Sequence, residues 1–175
     1  MATYPGNGGR QLSFLAPGLP NPSKRPRQIF VAYPYNLYPK EDYRPVFKGL
    51  EKPFNATFVF ADEKITTLHI LQKIADSIRS SAFGVYDISG WNPNVTLELG
   101  LALGLNERPF IAYDPSKTPI EEVPSDLRGL DRMQYASYAE LGAKLETLLA
   151  QEMPVPRTHD AENQLLQLRA YPKTV

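Results

Sequence analysis

DISGWNPNVTLELG, the stretch Asp87–Gly100, decides how this chain folds. The apolar run Phe83–Ile88 leads into it and predicts a buried strand, and the polar loop of residues 87–94 ends that strand. The loop passes into a very apolar segment that contains one carboxylate, Glu98. A charge in such surroundings costs free energy unless something pairs with it or uses it. The stretch therefore predicts a small-molecule site at the end of a strand.

Residues 95–105 fit two kinds of secondary structure. Leucine and valine alternate strictly with other residues, which is a strand pattern. A helix is favoured by Asn94 as an N-cap after Pro93, and by leucine and alanine where a strand would carry β-branched residues. Gly100 and Gly104 weaken that helix by roughly 1 kcal/mol each, although their spacing lets another backbone approach. We favour the helix because it completes a strand–helix alternation, and the strand stays open as the alternative.

The rest of the chain alternates between short apolar runs and amphipathic segments. Strands are predicted at 28–33, 56–60, 83–88 and 109–113, with an extended piece near Met133, and helices at 42–50, 67–80 and 138–151. This order predicts an α/β fold with a parallel sheet of about five strands and helices on both faces.

Proline and glycine mark the two ends of the chain. Residues 1–27 are predicted to form a flexible Pro/Gly-rich arm, because five prolines and four glycines prevent a continuous helix or central strand. Its basic run, Ser23–Arg27, is interpreted as a solvated tail rather than a partner or import patch. Residues 28–151 are predicted to form the domain, and residues 152–175 are predicted to form an extension with a short helix at Ala161–Ala170.

Composition excludes several classes of function. The chain has 175 residues, and 19 basic residues balance 19 acidic ones, so direct nucleic-acid binding has no electrostatic support. It has no cysteine and two histidines, so thiol catalysis is excluded and no metal site is expected. Phosphate-cradling glycine motifs are missing. No apolar run reaches about 18 residues and no secretory signal is visible, so we expect a cytoplasmic protein without a membrane span.

Polar and aromatic side chains concentrate where the predicted strands end. Ligands of parallel sheets bind outside the carboxyl ends of the strands, where loops 33–38, 62–66, 87–94 and 114–118 converge. The first and third loops offer aromatic faces at Tyr33, Tyr35, Tyr38 and Trp91, and hydrogen-bonding groups at Asn36, Ser89, Asn92 and Asn94. This mixture suits a base and a ribose better than a peptide or a metal.

Each candidate also has a structural interpretation. Glu98 could pair with Arg108 instead of acting in catalysis. Asp87 could bind ribose or cap a turn, and Trp91 could stack on a ligand or cover the edge of the core. Asn94 could serve as the N-cap of a helix while also contacting a ligand.

The segment Asn92–Ala102, NPNVTLELGLA, resembles the Asn-Pro-Asn-Val-x-x-Glu-Leu-Gly-x-Ala stretch of bacterial TIR-like (Toll/interleukin-receptor-like) domains. Its Glu-Leu-Gly-x-Ala part is also similar to nucleoside 2-deoxyribosyltransferases. Ile29–Tyr33 resembles the first TIR strand, and Pro124–Gly129 with Tyr135-x-x-Tyr138 resembles the segment after the fourth. The likeness covers roughly residues 28 to 150. It departs from the Trp-x-x-x-Glu spacing of many bacterial TIR domains, because Trp91 lies three residues before the expected position.

The resemblance implies a flavodoxin-like, TIR-like fold and a function. Glu98 would be the catalytic carboxylate of an NAD glycohydrolase, meeting the oxocarbenium-like state formed when a ribose–base bond breaks. NAD would be the substrate, with no cofactor, and the protein would self-assemble or use a partner protein as a bacterial antiviral effector. The alternatives are base exchange on deoxynucleosides and a non-catalytic module that binds a nucleotide or assembles. The expected substrate-binding residues are Tyr33, Asn36, Asp87, Ser89, Trp91 and Asn94.

Overall fold

A five-stranded parallel sheet forms the centre of the protein. The computed structural model describes residues 22–61, 70–118, 127 and 132–154. The strands are β1 (Arg25–Ala32), β2 (Thr57–Phe60), β3 (Ser81–Asp87), β4 (Pro109–Tyr113) and β5 (Arg132–Gln134), arranged in the order β2-β1-β3-β4-β5 with every pair parallel. The predicted α/β, flavodoxin-like sheet is confirmed.

Helices cover both faces of this sheet. They are α1 (Lys40–Phe54), α2 (Ile70–Ser80), α3 (Pro93–Gly104) and α4 (Tyr138–Glu152). Helices α1 and α4 pack together on one face, and α2 and α3 pack together on the other. Side chains of β3 alternate between the two cores: Val85 joins the core under α1 and α4, and Tyr86 joins the core under α2 and α3.

Residues 93–104 are helical, which resolves the ambiguity of the alternating segment. The N-cap is Asn92, not Asn94: the Asn92 side chain accepts from the backbone N–H of Asn94 at 2.9 Å. Pro93 occupies the first helical position, where its missing N–H costs nothing. Among the residues that the structure describes, none lies within 4 Å of a Cβ built on Gly100, so no described backbone makes the expected close approach there.

The sheet begins earlier than predicted. Strand β1 starts at Arg25, so the basic run is part of the domain and is not a solvated tail. Arg27 donates to the backbone carbonyls of Phe54 and Asn55 at the end of α1, and Lys24 donates to Ser81 and pairs with Glu107. These carbonyl and carboxylate acceptors hold the run in place. The arm before residue 22 and the predicted helix Ala161–Ala170 lie outside the described residues.

Candidate functional site

A pocket of about 470 Å³ opens at the carboxyl ends of β1 and β2. Tyr33 follows β1, Ala61 follows β2, and residues in the first two turns of α2 and α3 form much of the remaining described wall. Strand β1 lies between β2 on one side and β3 on the other, so the strand order reverses at β1. Ligands of doubly wound sheets bind at such a reversal of strand order. The volume is in the range that small-molecule sites occupy.

Glu98 lines this pocket. Its side chain is only 6% exposed, and it lies one helical turn after Asn94, which lines the pocket too. Arg108, which the sequence offered as a structural partner, donates instead to both carboxylate oxygens of Glu152 at 2.8 and 3.0 Å. The cap at Asn92 fixes where α3 begins, and therefore fixes which of its side chains face the pocket.

Two tyrosines of the first loop take different roles. Tyr33 lines the pocket but is 4% exposed, because its ring stacks on Tyr43 with centroids 4.4 Å apart. Its hydroxyl accepts a hydrogen bond from Arg44 at 3.0 Å. Tyr35 also lines the pocket and is 49% exposed. Tyr35 therefore offers an accessible aromatic face, whereas Tyr33 forms a packed wall.

Asp87 and Ser89 do not belong to the described lining of the pocket. Asp87 lies on the same side of β3 as Val85, under α1, and is fully buried. Its Oδ1 accepts from the backbone N–H and the hydroxyl of Ser89, at 3.0 and 2.6 Å. Its Oδ2 accepts from the hydroxyls of Tyr43 and Tyr135, at 2.7 and 2.5 Å. The structure thus places both residues in a buried network, outside the described lining of the pocket.

Burial shifts the proton affinities in this network. Desolvation raises the pKa of Asp87, although the hydrogen bonds from Ser89, Tyr135 and Tyr43 oppose that shift. Burial, reinforced by the charge of Asp87, raises the pKa of Tyr43 and of Tyr135. Burial also raises the pKa of Tyr38 to about 12. The tyrosines are therefore hydroxyl donors at neutral pH, which is the form that a carboxylate acceptor needs.

Trp91 and Asn36 also lie outside the described pocket lining. Trp91 ends a short 3-10 turn, Ser89–Trp91, and its ring packs partly buried against the core under α2 and α3. Its backbone is left-handed, with φ of 47°, after Gly90 with φ of 63°. Asn36 accepts from the side chain of the N-cap Asn92 at 2.8 Å. Both residues are thus linked to the start of α3.

Sequence reasoning missed part of the pocket. Lys40, at the start of α1, and the exposed apolar side chains Ile70, Leu71 and Leu97 line it with Glu98. Lys40 lies just beyond the loop that the sequence singled out. Ile70, Leu71 and Leu97 follow the apolar spacing of ordinary amphipathic helices, so no local signal in the sequence distinguishes them from core residues. Of the four loops expected to converge, residues 62–66 lie outside the described residues.

Metal-binding groups and membrane-spanning helices are both absent from the part of the chain that the structure describes. No group of three or more histidine, aspartate or glutamate side chains that could hold a metal ion occurs in them. No helix within the described ranges is long and apolar enough to cross a membrane. A search of protein-family models and of curated proteins found no match to the chain.

Proposed function

We propose that this protein is a TIR-like NAD glycohydrolase, which cleaves the bond between nicotinamide and ribose in NAD. The observation that carries the proposal is Glu98, a nearly buried carboxylate on the wall of a ligand-sized pocket at the β1/β3 reversal. Asn94, Tyr33 and Tyr35 line the same pocket.

The chemistry needs few groups. The bond between C1′ of the ribose and the nicotinamide nitrogen breaks, its electron pair leaves with the neutral base, and a ribosyl cation develops. A carboxylate fixed beneath the sugar stabilises that cation, and water then attacks C1′ to give ADP-ribose and a proton. No strong general acid is required, because nicotinamide leaves without taking a proton. A site with one carboxylate and no histidine in its described lining fits that reaction.

The remaining lining suits the rest of the substrate. Tyr35 offers an exposed ring for stacking on a base, and the apolar side chains of α2 and α3 offer contact area. Lys40 brings a positive charge to the same pocket, as the diphosphate of NAD requires. We extend the proposal, through the sequence resemblance, to a cytoplasmic bacterial antiphage effector that acts after self-assembly or with a partner protein.

The test is release of nicotinamide. Purified protein is incubated with NAD over a range of protein concentrations, and NAD, nicotinamide and ADP-ribose are measured by mass spectrometry. We expect the wild type to release nicotinamide and Glu98→Gln to abolish release, because the amide keeps the size of the side chain and removes its charge. Glu146→Gln is the matched control, since Glu146 is exposed on α4, across the sheet from α3.

The outcomes separate binding from chemistry. NAD binding stabilises the folded state by an amount set by its concentration relative to Kd, so thermal shifts with NAD are measured for the same three proteins. Stabilisation of the wild type without turnover, even in the assembled state, indicates a non-catalytic nucleotide-binding module. Equal turnover by wild type and Glu98→Gln would refute the assignment of Glu98.

A second candidate is base exchange on deoxynucleosides. The observation in its favour is the lining, in which apolar side chains outnumber charged ones and Lys40 is the one cation among the described lining residues. A deoxynucleoside carries no phosphate and needs no cation. Incubation of a deoxynucleoside with free adenine distinguishes the candidates: formation of deoxyadenosine, lost in Glu98→Gln, together with no release of nicotinamide from NAD, supports exchange.

A further inference from the structure

Asp87 is a buried carboxylate that accepts four hydrogen bonds and that the proposed chemistry does not use. It is fully buried, and each of its carboxylate oxygens accepts two hydrogen bonds. Its donors come from three separate parts of the chain: the turn after β3, helix α1 and the segment after β5. A buried carboxylate saturated in this way fixes the position of every group that donates to it.

The bonds of Oδ1 hold the turn that leads into α3. Ser89 donates to Asp87, and its hydroxyl oxygen accepts from the backbone N–H of Asp114 at 2.8 Å. The N–H of Gly90 donates to the hydroxyl of Thr118 at 2.7 Å. These contacts hold Trp91 in a left-handed backbone conformation, which costs a residue with a Cβ about 1–2 kcal/mol and persists only where neighbours impose it.

That turn determines where the catalytic helix starts. Asn92 follows Trp91 directly and caps α3, and Glu98 lies in the second turn of the same helix. A rotation of the turn would therefore move the start of α3, and Glu98 with it. A displacement of about 1 Å is enough to lower the rate of a positioned reaction a hundredfold.

The bonds of Oδ2 support the part of the pocket wall that Tyr33 forms. Tyr43 donates to Asp87 and lies between the rings of Tyr33 and Tyr38, at centroid distances of 4.4 and 5.3 Å and interplanar angles of 9° and 16°. Tyr33 is the member of this stack that lines the pocket. One carboxylate thus connects the turn before Glu98 with the tyrosine wall that faces the pocket.

We propose that Asp87 is a positioning residue of the pocket, which sets the turn Ser89–Trp91 and the stacked wall at Tyr33 without touching the substrate. The effect on catalysis rests on the proposed function of Glu98, whereas the effect on the turn does not. The proposal differs from the sequence-based expectation that Asp87 binds ribose. If Asp87 only contacted a ligand, replacing it would leave the turn Ser89–Trp91 unchanged in the protein without ligand.

Trp91 allows a direct test, because it is the single tryptophan of the chain and belongs to the turn itself. Asp87→Asn keeps the shape of the side chain but places an amide donor against groups that already donate. In the protein without ligand, we expect a red shift of Trp91 emission and stronger quenching by acrylamide. Asp76→Asn is the matched control, since Asp76 accepts from Gln72 on α2 and its asparagine variant keeps an acceptor oxygen.

Fluorescence is recorded well below the melting temperature, so that a loss of stability alone leaves it unchanged. Emission and quenching equal to wild type in a folded Asp87→Asn protein would overturn the proposal. If that variant does not fold, Ser89→Ala removes the hydroxyl that donates to Oδ1 of Asp87 and should produce a smaller shift in the same direction; no shift there also overturns the proposal.

Kinetics separate this proposal from the proposed function. If the wild type cleaves NAD, Asp87→Asn should lower kcat because Glu98 is displaced, and it should also raise KM because the pocket wall at Tyr33 shifts. A shifted Trp91 with full kcat would overturn positioning of Glu98. If the wild type is inert toward NAD, the proposed function fails, and the fluorescence of Asp87→Asn still decides whether Asp87 sets the turn.

Discussion

Two fully buried tyrosines allow one substitution to be compared in opposite environments. Tyr43 and Tyr86 are both 0% exposed, and they lie on opposite faces of the sheet. The hydroxyl of Tyr43 donates to Asp87 at 2.7 Å. The hydroxyl of Tyr86 is buried and has no hydrogen-bond partner among the residues that the structure describes. Replacing each by phenylalanine removes one oxygen atom and leaves the ring.

The two substitutions are expected to change the free energy of unfolding differently: Tyr43→Phe lowers it, and Tyr86→Phe leaves it unchanged or raises it. Tyr43→Phe removes a hydrogen bond to a carboxylate and should lower the free energy of unfolding by about 1.5–3 kcal/mol. For a chain of this length, that corresponds to a fall in Tm of roughly 3–12 °C. Tyr86→Phe removes a hydroxyl whose desolvation is not repaid, so we expect no change or a gain of up to about 1 kcal/mol.

Urea unfolding measures both variants against the wild type, with far-UV circular dichroism as the probe and the m-value as a check on two-state behaviour. Equal destabilisation by the two substitutions would refute the reasoning, because it would mean that the loss of ring packing, rather than the hydrogen bond, sets the cost. Tyr43→Phe combined with Tyr135→Phe leaves Oδ2 of Asp87 without a donor. The double variant should therefore lose more stability than the sum of the two single losses.

Two other perturbations test local features. Ser137→Ala should cost about 1 kcal/mol, because the Ser137 hydroxyl caps α4 by accepting from the N–H of Glu140 at 3.2 Å; an unchanged thermal midpoint would contradict the cap. Burial raises the pKa of Asp87 above its ordinary value of 3.8, so its contribution to stability is present below that value and is lost as pH rises through the folded-state pKa. The free energy of unfolding of wild type, minus that of Asp87→Asn, should therefore fall with rising pH in urea titrations, and a rise would contradict the sign.

Local sequence signals predicted the secondary structure where packing did not compete with them. Strand β4 was predicted at residues 109–113 and is observed there, because proline residues bound a short apolar run. The predicted boundaries of α1 and β1 differ from the observed ones, and in both cases the observed element includes a proline beyond the predicted boundary. Helix α1 continues to Phe54 with Pro53 in its last turn, and β1 includes Pro26. Contacts distant in sequence, such as Arg27 with the end of α1, extend these elements beyond their local pattern.

The candidate site was predicted only in part, because a strand end does not by itself reveal which face a side chain takes. Of the residues that the sequence singled out, Glu98, Asn94 and Tyr33 line the pocket. Asp87 was predicted to bind substrate with them because it lies at the carboxyl end of β3. The two-residue period places Asp87 with Val85, under α1, away from the face that α3 covers. That signal was present in the sequence, whereas the contacts from Tyr43 and Tyr135 were not, because they depend on the packing of α1 and β5.

The alternation of apolar residues in 95–105, which is typical of a strand, leaves some of these side chains exposed in the helix. A helix with leucine or valine at every second position cannot bury all of them on one side, and Leu97 is left 55% exposed. Leu97 does not face open solvent alone: it lines the pocket with Leu71, close to Glu98. The wall therefore combines exposed apolar area with one carboxylate. Under the proposed function, an aromatic base attached to a ribose matches both, since the base covers the apolar area while the sugar presents its developing positive charge to Glu98.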